Sequence, residues 1–395
     1  MTAKTGGRRF ANLWVFDRPR KFGMKTEAFI LREVGKKMRA ETVFLDDPGR
    51  GEVLVAIAAA GLCRSDLHSI EGNDETPKPI VLGHEAVGIV EKKGDGVDNL
   101  QIGERVILSW MPECRACRAC LRGNPALCEV ADNCYITGEL PGGGTRLRDK
   151  DGKTVYHYSS VASFARHAVV PASGCISLRE ESITSESAAA IGCAAITGIG
   201  AAVNAAKVQL GDSVVVFGLG GIGLNILQGA RLAGAAVIIG VDTNANKRDI
   251  ALQFGATHFV GGKQKNINRT LSGICNGGAD ITFDALGHPD IIQNAFHATV
   301  SGGKVICVGI SPAGTEIHLP ADNIVGTGKS IIGCYYGNTN PNRDFPILIN
   351  LFRNKRILLD ELVEEIIPFE RIADGFARMQ KGNILGRLVA RISPE

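Results

Sequence analysis

Two short motifs bring metal-binding and proton-transferring side chains close together in the chain. The sequence CRSDLH begins at Cys63, and the sequence GHE ends at Glu85. Cysteine thiolate and neutral imidazole are ligands that Zn²⁺ prefers, and a catalytic zinc takes three protein ligands and leaves a fourth position open. Cys63 and His84 supply two such ligands. A carboxylate beside a ligating histidine fixes its tautomer, so Asp66 or Glu85 is a candidate to orient His84.

Taken alone, Cys63 and His84 are better explained as buried packing residues, which is the commoner role of isolated cysteines. The longer runs around them, GLCRSDLH and PIVLGHEAVGIV, resemble the zinc-containing medium-chain alcohol dehydrogenases. The resemblance covers roughly Lys25 to Ile392. It implies an α/β protein with a β-rich GroES-like catalytic domain and a doubly wound parallel-sheet (Rossmann) cofactor domain.

The resemblance also implies the third ligand of a catalytic zinc. Cys193 stands in the run SAAAIGCAAITGIGAAV, where composition alone favours buried packing. The similar family segment carries a zinc ligand, which assigns Cys193 to the metal with Cys63 and His84, and places Glu85 among the metal-site residues. In that family the zinc acts as a Lewis acid on the alcohol oxygen and stabilises the alkoxide, while hydride passes to the nicotinamide.

A proton path is implied in the same way. The hydroxyl of Ser65, two residues after a ligand, resembles the start of a relay that runs through the cofactor ribose to a histidine, and His68 matches that histidine. Such proton transfer contributes ~10²–10⁴-fold to rate. Thr197 is similar to a family residue that lines the nicotinamide.

Four further cysteines form a compact lobe at residues 113–129. Their C-x₂-C-x₂-C-x₇-C spacing lets four thiolates close a tetrahedron with no open position, which is typical of structural zinc. An iron–sulfur cluster is the alternative, but the bacterial pattern needs three residues before its fourth cysteine, followed by proline. The predicted ligands are Cys114, Cys117, Cys120 and Cys128.

A glycine-rich turn predicts a dinucleotide site. The β-branched run Ser213 to Phe217 leads into G-x-G-x-x-G and a helical segment, and a second apolar run ends at Asp242. In this pattern the glycines permit the tight turn, the approach of backbone to pyrophosphate and close helix packing. Asp242 would bind the ribose hydroxyls and repel a 2′-phosphate, which predicts NAD over NADP. The expected cofactor-binding residues, several of them by resemblance only, are Arg64, Thr197, Gly218, Gly220, Gly221, Ile222, Gly223, Asp242, Lys247, Val308 and Arg387.

These assignments divide the chain into domains. Residues 1–22 form a basic extension that we interpret as a mobile tail, residues 23–195 and 338–395 the catalytic domain, and residues 196–337 the dinucleotide-binding domain. The glycine- and charge-rich segment from Cys134 to His157 is similar to loops near the substrate mouth of some relatives. We expect it to shape substrate access.

Composition limits the other possibilities. The 395 residues carry a net charge of +3, too small to indicate nucleic acid. No apolar run reaches the ~18 residues that span a bilayer, and no apolar segment of a secretory signal stands at the N-terminus. Eleven cysteines, partly clustered, favour metal binding in a reducing compartment over disulfides. We therefore expect a cytoplasmic protein without membrane or nucleic-acid partners.

Several alternatives stay open. The protein could oxidise a thiol adduct of formaldehyde instead of a free alcohol. A polyol dehydrogenase is less favoured, because such enzymes often lack the four-cysteine lobe. A zinc-bearing nucleic-acid-binding module is a remote alternative. The alcohol or aldehyde substrate cannot be read from the motifs. We expect a homodimer or homotetramer, joined through strand edges near Ser330 to Gly337.

Overall fold

A computed structural model of the protein describes residues 23–382 and 384–393. The basic N-terminal extension therefore lies outside the described residues. Within these described residues the strands are β1 (Met24–Leu31), β2 (Arg39–Leu45), β3 (Glu52–Gly61), β4 (Ile80–Val81), β5 (Glu85–Lys93), β6 (Arg105–Leu108), β7 (Leu147–Arg148), β8 (Thr154–His157), β9 (His167–Pro171), β10 (Cys175–Ser177), β11 (Ser213–Phe217), β12 (Val237–Asp242), β13 (His258–Gly261), β14 (Ala279–Asp284), β15 (Thr299–Cys307), β16 (Ser330–Gly333), β17 (Val363–Pro368) and β18 (Arg387–Arg391).

Helices connect and cover these strands, mostly in the second half of the chain. The α-helices are α1 (Arg64–Glu71), α2 (Arg118–Leu121), α3 (Glu129–Thr137), α4 (Ser185–Ala189), α5 (Ala194–Gly200), α6 (Gly221–Ala233), α7 (Arg248–Gln253), α8 (Ile267–Ile274), α9 (Pro289–Ala298), α10 (Ala321–Thr327), α11 (Pro341–Arg353) and α12 (Ile372–Gln380). A π-helical segment, Ala201–Ala206, continues α5.

The first part of the chain forms two β-structures. A small closed barrel has the strand order β1-β2-β7-β8-β4, and beside it lies a sheet ordered β10-β6-β5-β3-β18-β17, with β9 also paired to β3. Strand β18 comes from the far end of the chain and pairs antiparallel with the last residues of β3, from Ala59 to Gly61. The end of the chain is thereby built into the sheet that precedes α1.

The third sheet is parallel, with the order β13-β12-β11-β14-β15-β16. The strand order changes direction at β11, which is the first strand of this sheet in the chain, as in doubly wound nucleotide-binding folds. Val214 and Val216 of β11 enter one hydrophobic core, and Val215 and Phe217 enter the core on the opposite face. Burial on both faces explains why this strand reads as an unbroken apolar run. The expected α/β class with a parallel sheet is confirmed.

The segment from Cys134 to His157 differs from the loop that we expected. It holds the end of α3 and the strands β7 and β8, which complete the barrel. Arg146 in its middle forms a bidentate ion pair with Glu52, with both nitrogen–oxygen distances 2.8 Å. Sequence reasoning missed these strands because they are only two and four residues long. The middle of the segment is barrel wall, and Tyr135 near its start lines the cavity described below.

Within the described residues, no single helix has both the length and the apolar character needed to cross a membrane, although the bent pair Ser185–Gly192 and Ala194–Ala206 passes on those two criteria together. Every residue of α5 in that pair is buried in the protein interior.

Candidate active site

Three elements bring the predicted metal ligands to one point. Cys63 caps the N-terminus of α1, His84 lies between β4 and β5, and Cys193 caps the N-terminus of α5. The ligand atoms of these residues and of Glu85 all lie within 4.8 Å of one another, and all four residues are buried. Residues that are up to 130 positions apart in sequence therefore form one cluster.

Asp66 fixes the positions of Cys63 and His84 in this cluster through hydrogen bonds. One carboxylate oxygen lies 3.3 Å from His84 Nδ1 and accepts the Gly83 backbone N–H at 2.9 Å, while the other accepts the Cys63 N–H at 3.2 Å. With Nδ1 held by Asp66, the lone pair of His84 is left on Nε2, the nitrogen free to bind a metal. Burial alone would lower the pKa of His84, but Asp66 and Cys63 outweigh it and raise that pKa.

The sulfurs of Cys63 and Cys193 interact directly, and the interaction changes both of their pKa values. A hydrogen bond from the Cys193 thiol lowers the pKa of Cys63 against the opposing effect of burial, and Arg387 and His84 lower it further. The same contact raises the pKa of Cys193. Two adjacent sulfurs and one imidazole nitrogen are the donor set of a catalytic zinc site, and removal of both thiol protons needs a cation of this kind. The residues present therefore fit zinc.

Glu85 and Arg387 form a buried ion pair beside the cluster. Arg387 Nη2 lies 2.8 Å from Glu85 Oε1, although the two groups are not aligned for a hydrogen bond. Burial raises the pKa of Glu85 to about 8, against the opposing charge of Arg387. Glu85 also fills the space beside Gly61, where a Cβ would lie 2.3 Å from a carboxylate oxygen. The arginine expected to contact pyrophosphate thus also neutralises a carboxylate at the metal cluster.

The cluster opens into a cavity of about 430 Å³. Ser65 and His68 line this cavity from α1, three residues apart and therefore on one face of the helix. Ser65 Oγ lies 3.7 Å from Cys63 Sγ. His68 is half-buried, its Nδ1 lies 3.3 Å from Asn73 Nδ2, and burial, with Arg64 next, lowers its pKa. A neutral imidazole in this position can accept a proton at neutral pH.

The glycine-rich turn lies in the same cavity. Gly218 has φ +92°, and a Cβ on Gly223 would lie 1.8 Å from the Gly218 carbonyl oxygen, so both positions require glycine. A Cβ on Gly220 would meet no atom within 4 Å, because this residue faces open space at the start of α6. Gly220, Gly221, Ile222 and Gly223 line the cavity wall. The free N–H groups of the α6 N-terminus are thereby available to an anion.

Asp242 ends β12 beside this turn. Its carboxylate accepts the backbone N–H groups of Leu219 and Asn244, each at 2.9 Å, and lies 3.1 Å from Lys247 Nζ. The bond to Leu219 joins the acidic residue directly to the glycine-rich turn. Asp242 and Lys247 therefore lie together beside the turn, although neither is among the described residues that line the cavity.

The remaining expected cofactor residues also line the cavity. Arg64 is more than half exposed and lies 3.9 Å from Glu71, and Val308 follows β15 on the parallel-sheet side. The Thr197 hydroxyl is buried and forms no hydrogen bond with any described residue. A buried hydroxyl without a partner is costly, so this atom is suited to a hydrogen bond with a ligand.

The four lobe cysteines form a second cluster. The sulfurs of Cys114, Cys117, Cys120 and Cys128 also lie within 4.8 Å of one another. Backbone N–H groups support them, with Cys117 N–H donating to Cys114 Sγ at 3.3 Å and Cys114 N–H donating to Cys128 Sγ at 3.4 Å. Four sulfurs with such support are the arrangement of a closed structural zinc site.

Sequence reasoning missed the aromatic residues of the cavity. Trp110, Tyr135, Tyr158 and Tyr335 line it beside the metal cluster. They come from separated parts of the chain, and no motif joins them. The available signal was their proximity to the motifs, such as the position of Trp110 four residues before Cys114.

Comparisons with known proteins identify the family of this chain. Residues 49–180 match the alcohol dehydrogenase GroES-like domain, and residues 221–354 match the zinc-binding dehydrogenase family. The chain is 37% identical to an S-(hydroxymethyl)glutathione dehydrogenase of Paracoccus denitrificans, over 93% of this chain and 100% of that protein.

Two solved structures have the same fold over nearly the whole chain. A zinc-binding alcohol dehydrogenase domain protein of Burkholderia ambifaria is 30% identical with a TM-score of 0.89, covering 94% of this chain and 100% of that one. A benzyl alcohol dehydrogenase of Acinetobacter calcoaceticus is 29% identical with a TM-score of 0.88 and the same two coverages. The chain belongs to the zinc-binding alcohol dehydrogenase family.

Proposed function

We propose that this protein is an NAD-dependent zinc alcohol dehydrogenase that interconverts a small alcohol and its aldehyde. One observation supports the proposal above the others: the Cys63, His84 and Cys193 cluster and the glycine-rich turn line the same cavity. A metal-binding donor set and a dinucleotide-binding turn that share one space are suited to hydride transfer at a polarised oxygen.

In this proposal the chain supplies position, charge and a proton path. When bound, zinc supplies Lewis acidity at the substrate oxygen and NAD supplies the hydride acceptor. Ser65 Oγ, beside Cys63, would accept the hydroxyl proton of the alcohol while giving up its own, and the His68 imidazole on the same helix face would take up the proton released and pass it to solvent. Asp66 holds His84 so that its Nε2 faces the metal position.

The choice of NAD over NADP rests on Asp242. Its carboxylate is fixed by two backbone N–H groups beside the turn, so its charge cannot move away from a 2′-phosphate. Lys247, 3.1 Å away, partly offsets that charge and adds a hydrogen-bond donor for the ribose.

A second candidate function is oxidation of a thiol adduct of formaldehyde. It is favoured by the name of the Paracoccus denitrificans relative, which is 37% identical. The name of the Acinetobacter calcoaceticus structure points instead to benzyl alcohol. The names of relatives therefore leave the substrate open within one reaction class.

Purified protein tests the proposal. NADH absorbance is followed with a panel of alcohols and with formaldehyde in the presence and absence of glutathione, and zinc is measured on the same sample. We expect alcohol-dependent NADH formation and two zinc ions per chain, one for each cluster.

A pair of variants tests the assignment of the first cluster. Cys193→Ser should abolish turnover and lower the zinc content, whereas Cys307→Ser, outside both clusters, should do neither. The absence of NADH with every substrate, or of zinc at the first cluster, would refute the proposal.

A further inference from the structure

Four aromatic side chains and the His84 imidazole form a continuous row of rings at the candidate metal site. Ring centroids are separated by 5.6 Å for Tyr135 and Tyr158, 5.6 Å for Tyr158 and His84, 6.1 Å for His84 and Trp110, and 5.3 Å for Trp110 and Tyr335, each pair in an edge-to-face arrangement. We call Tyr135, Tyr158, Trp110 and Tyr335 the aromatic arc. His84 stands in its middle, so a group held at the metal position would extend past these rings.

The hydroxyl groups of the arc are not equivalent. Tyr135 donates to Asp74 at 3.3 Å, and Tyr158 donates to the Ser65 carbonyl at 3.2 Å. Both hydroxyls are therefore used within the protein, which leaves the rings as apolar surface. The Tyr335 hydroxyl makes no hydrogen bond with any described residue, and burial raises the pKa of this phenol, so it stays protonated and able to donate.

Among the described residues that line the cavity, no arginine or lysine is left free to pair with an anionic substrate such as a glutathione adduct. Among the described lining residues, none is Asp, Glu or Lys, and the arginines are Arg64 and Arg387. Arg387 is ion-paired with Glu85 and donates to the Leu62 carbonyl at 3.1 Å. Arg64 is the expected partner of the cofactor phosphate. Neither arginine is left for the carboxylates of a peptide thiol.

We propose that the cavity takes primary alcohols whose carbinol carbon is attached to an aromatic ring, and that Tyr335 selects rings with a hydrogen-bond acceptor such as a hydroxyl. This inference rests on the proposed dehydrogenase function and names its substrate class. A substrate ring packs edge-to-face against the arc, an interaction worth ~0.5–1.5 kcal/mol beyond area burial for each ring pair. The Tyr335 hydroxyl is the specificity-determining donor at the arc.

A matched substrate pair tests the ring preference. Benzyl alcohol and cyclohexylmethanol have similar size and differ in aromaticity, so the ratio of their kcat/KM values measures the contribution of the arc. We expect the ratio to favour benzyl alcohol, and Trp110→Leu to lower it by roughly fivefold, which corresponds to the loss of about one such ring contact. Trp110→Phe, which keeps a ring, should retain most of the preference and serves if the leucine variant does not fold.

A second pair tests Tyr335. The ratio of kcat/KM for 4-hydroxybenzyl alcohol to that for benzyl alcohol should fall roughly five- to tenfold in Tyr335→Phe, as expected for one lost neutral hydrogen bond. Tyr156→Phe removes a tyrosine hydroxyl outside the cavity and should leave both ratios unchanged.

The outcomes separate this inference from the proposed function. If cyclohexylmethanol or the glutathione adduct of formaldehyde is oxidised more efficiently than every aromatic alcohol, the inference is wrong and the dehydrogenase function stands. If Tyr335→Phe leaves the second ratio unchanged, Tyr335 is not the selecting donor. If no alcohol or adduct yields NADH, both the function and the inference fail.

Discussion

His68 lies where a proton can leave the cavity. It is half-buried on the same helix face as Ser65, and burial lowers its pKa below the ordinary value of 6.5. A histidine with a lowered pKa is neutral at pH 7 and becomes protonated only at more acidic pH. Its capacity to accept a proton is therefore present at neutral pH and lost as the pH falls through the lowered pKa.

We predict that His68→Ala slows alcohol oxidation at pH 7 by roughly 10²-fold, since a positioned base contributes ~10²–10⁴-fold. In the unmodified protein, turnover should fall at acidic pH as His68 becomes protonated. This fall should disappear in the variant. Added imidazole buffer should restore part of the rate in the variant. Turnover is measured from pH 5 to pH 9, with His258→Ala as a control because His258 is exposed on β13. An unchanged rate in His68→Ala would exclude the relay.

A second prediction concerns Asp242. Asp242→Asn keeps an acceptor near the Leu219 and Asn244 N–H groups but removes the charge that would repel a 2′-phosphate. We expect the ratio of kcat/KM for NAD to that for NADP to fall roughly tenfold, which corresponds to ~1.4 kcal/mol. Asp249→Asn, an exposed residue of α7, should leave the ratio as it is. An unaltered ratio in Asp242→Asn would contradict the assignment of cofactor preference to this residue.

The sequence could identify residues that belong to compact motifs. Cys63, His84 and the glycine-rich turn have fixed local spacings, because one helix terminus or one turn imposes them. The structure then brought Cys193 to the same cluster, as the family resemblance implied. Trp110 and Tyr335 could not be found, because an aromatic residue in a core and one in a cavity look the same in sequence. Their role depends on contacts between distant segments.

At the scale of elements, the turn between β11 and α6 shows why glycines in one motif differ in importance. Gly223 touches the Gly218 carbonyl, whereas Gly220 faces open space with φ −81°, a value open to any residue. Gly223 is therefore needed for the fold of the turn. Gly220 instead leaves room for a ligand.

We therefore predict opposite outcomes for two alanine variants. Gly223→Ala places a Cβ 1.8 Å from a backbone oxygen and should destabilise the protein by several kcal/mol, on the order of the largest single-residue effects. Gly220→Ala should fold normally but bind NAD at least about tenfold more weakly, because the methyl group occupies space needed by the pyrophosphate. Thermal unfolding and NAD titration of both variants separate the two effects. A Gly220→Ala protein with unchanged NAD affinity would show that the pyrophosphate lies elsewhere.

Elements with strong apolar patterns were predictable, and short ones were not. The sequence run Ser213 to Phe217 coincides with β11, since its residues enter cores on both faces of the sheet. Strands β7 and β8 pair along only two residues each with one another, so their formation depends on the rest of the barrel. A pattern of hydrophobicity cannot be seen over so few residues.

At the scale of the whole molecule, the cysteine lobe connects the catalytic half to the chain that returns after the parallel sheet. Cys128 and Ala126 share a hydrophobic cluster with Tyr336, and Glu113 accepts a hydrogen bond from Asn342 at 2.9 Å. The lobe thus packs against the segment that carries Tyr335. Loss of metal from the lobe should therefore lower the stability of the whole protein.

We predict that Cys117→Ser reduces the zinc content from two ions per chain to one and lowers the thermal unfolding temperature, because structural zinc contributes directly to folding. The cluster at Cys63 should keep its zinc. Cys275→Ser, half-buried and outside both clusters, is the matched control. Metal analysis together with calorimetry tests this expectation, and a variant that retains both ions and full stability would argue against a metal at the lobe.

The position of Arg387 has a consequence for the order in which the site is assembled during synthesis. A nascent chain extended to Cys193 already contains the whole cysteine–histidine cluster, but the guanidinium that neutralises Glu85 arrives only with β18, which pairs beside Gly61. Until then the carboxylate has no buried counter-charge, and enclosing it as an anion would be unfavourable. The full charge balance of the metal centre is therefore reached only when β18, translated long after the ligands themselves, has inserted beside β3.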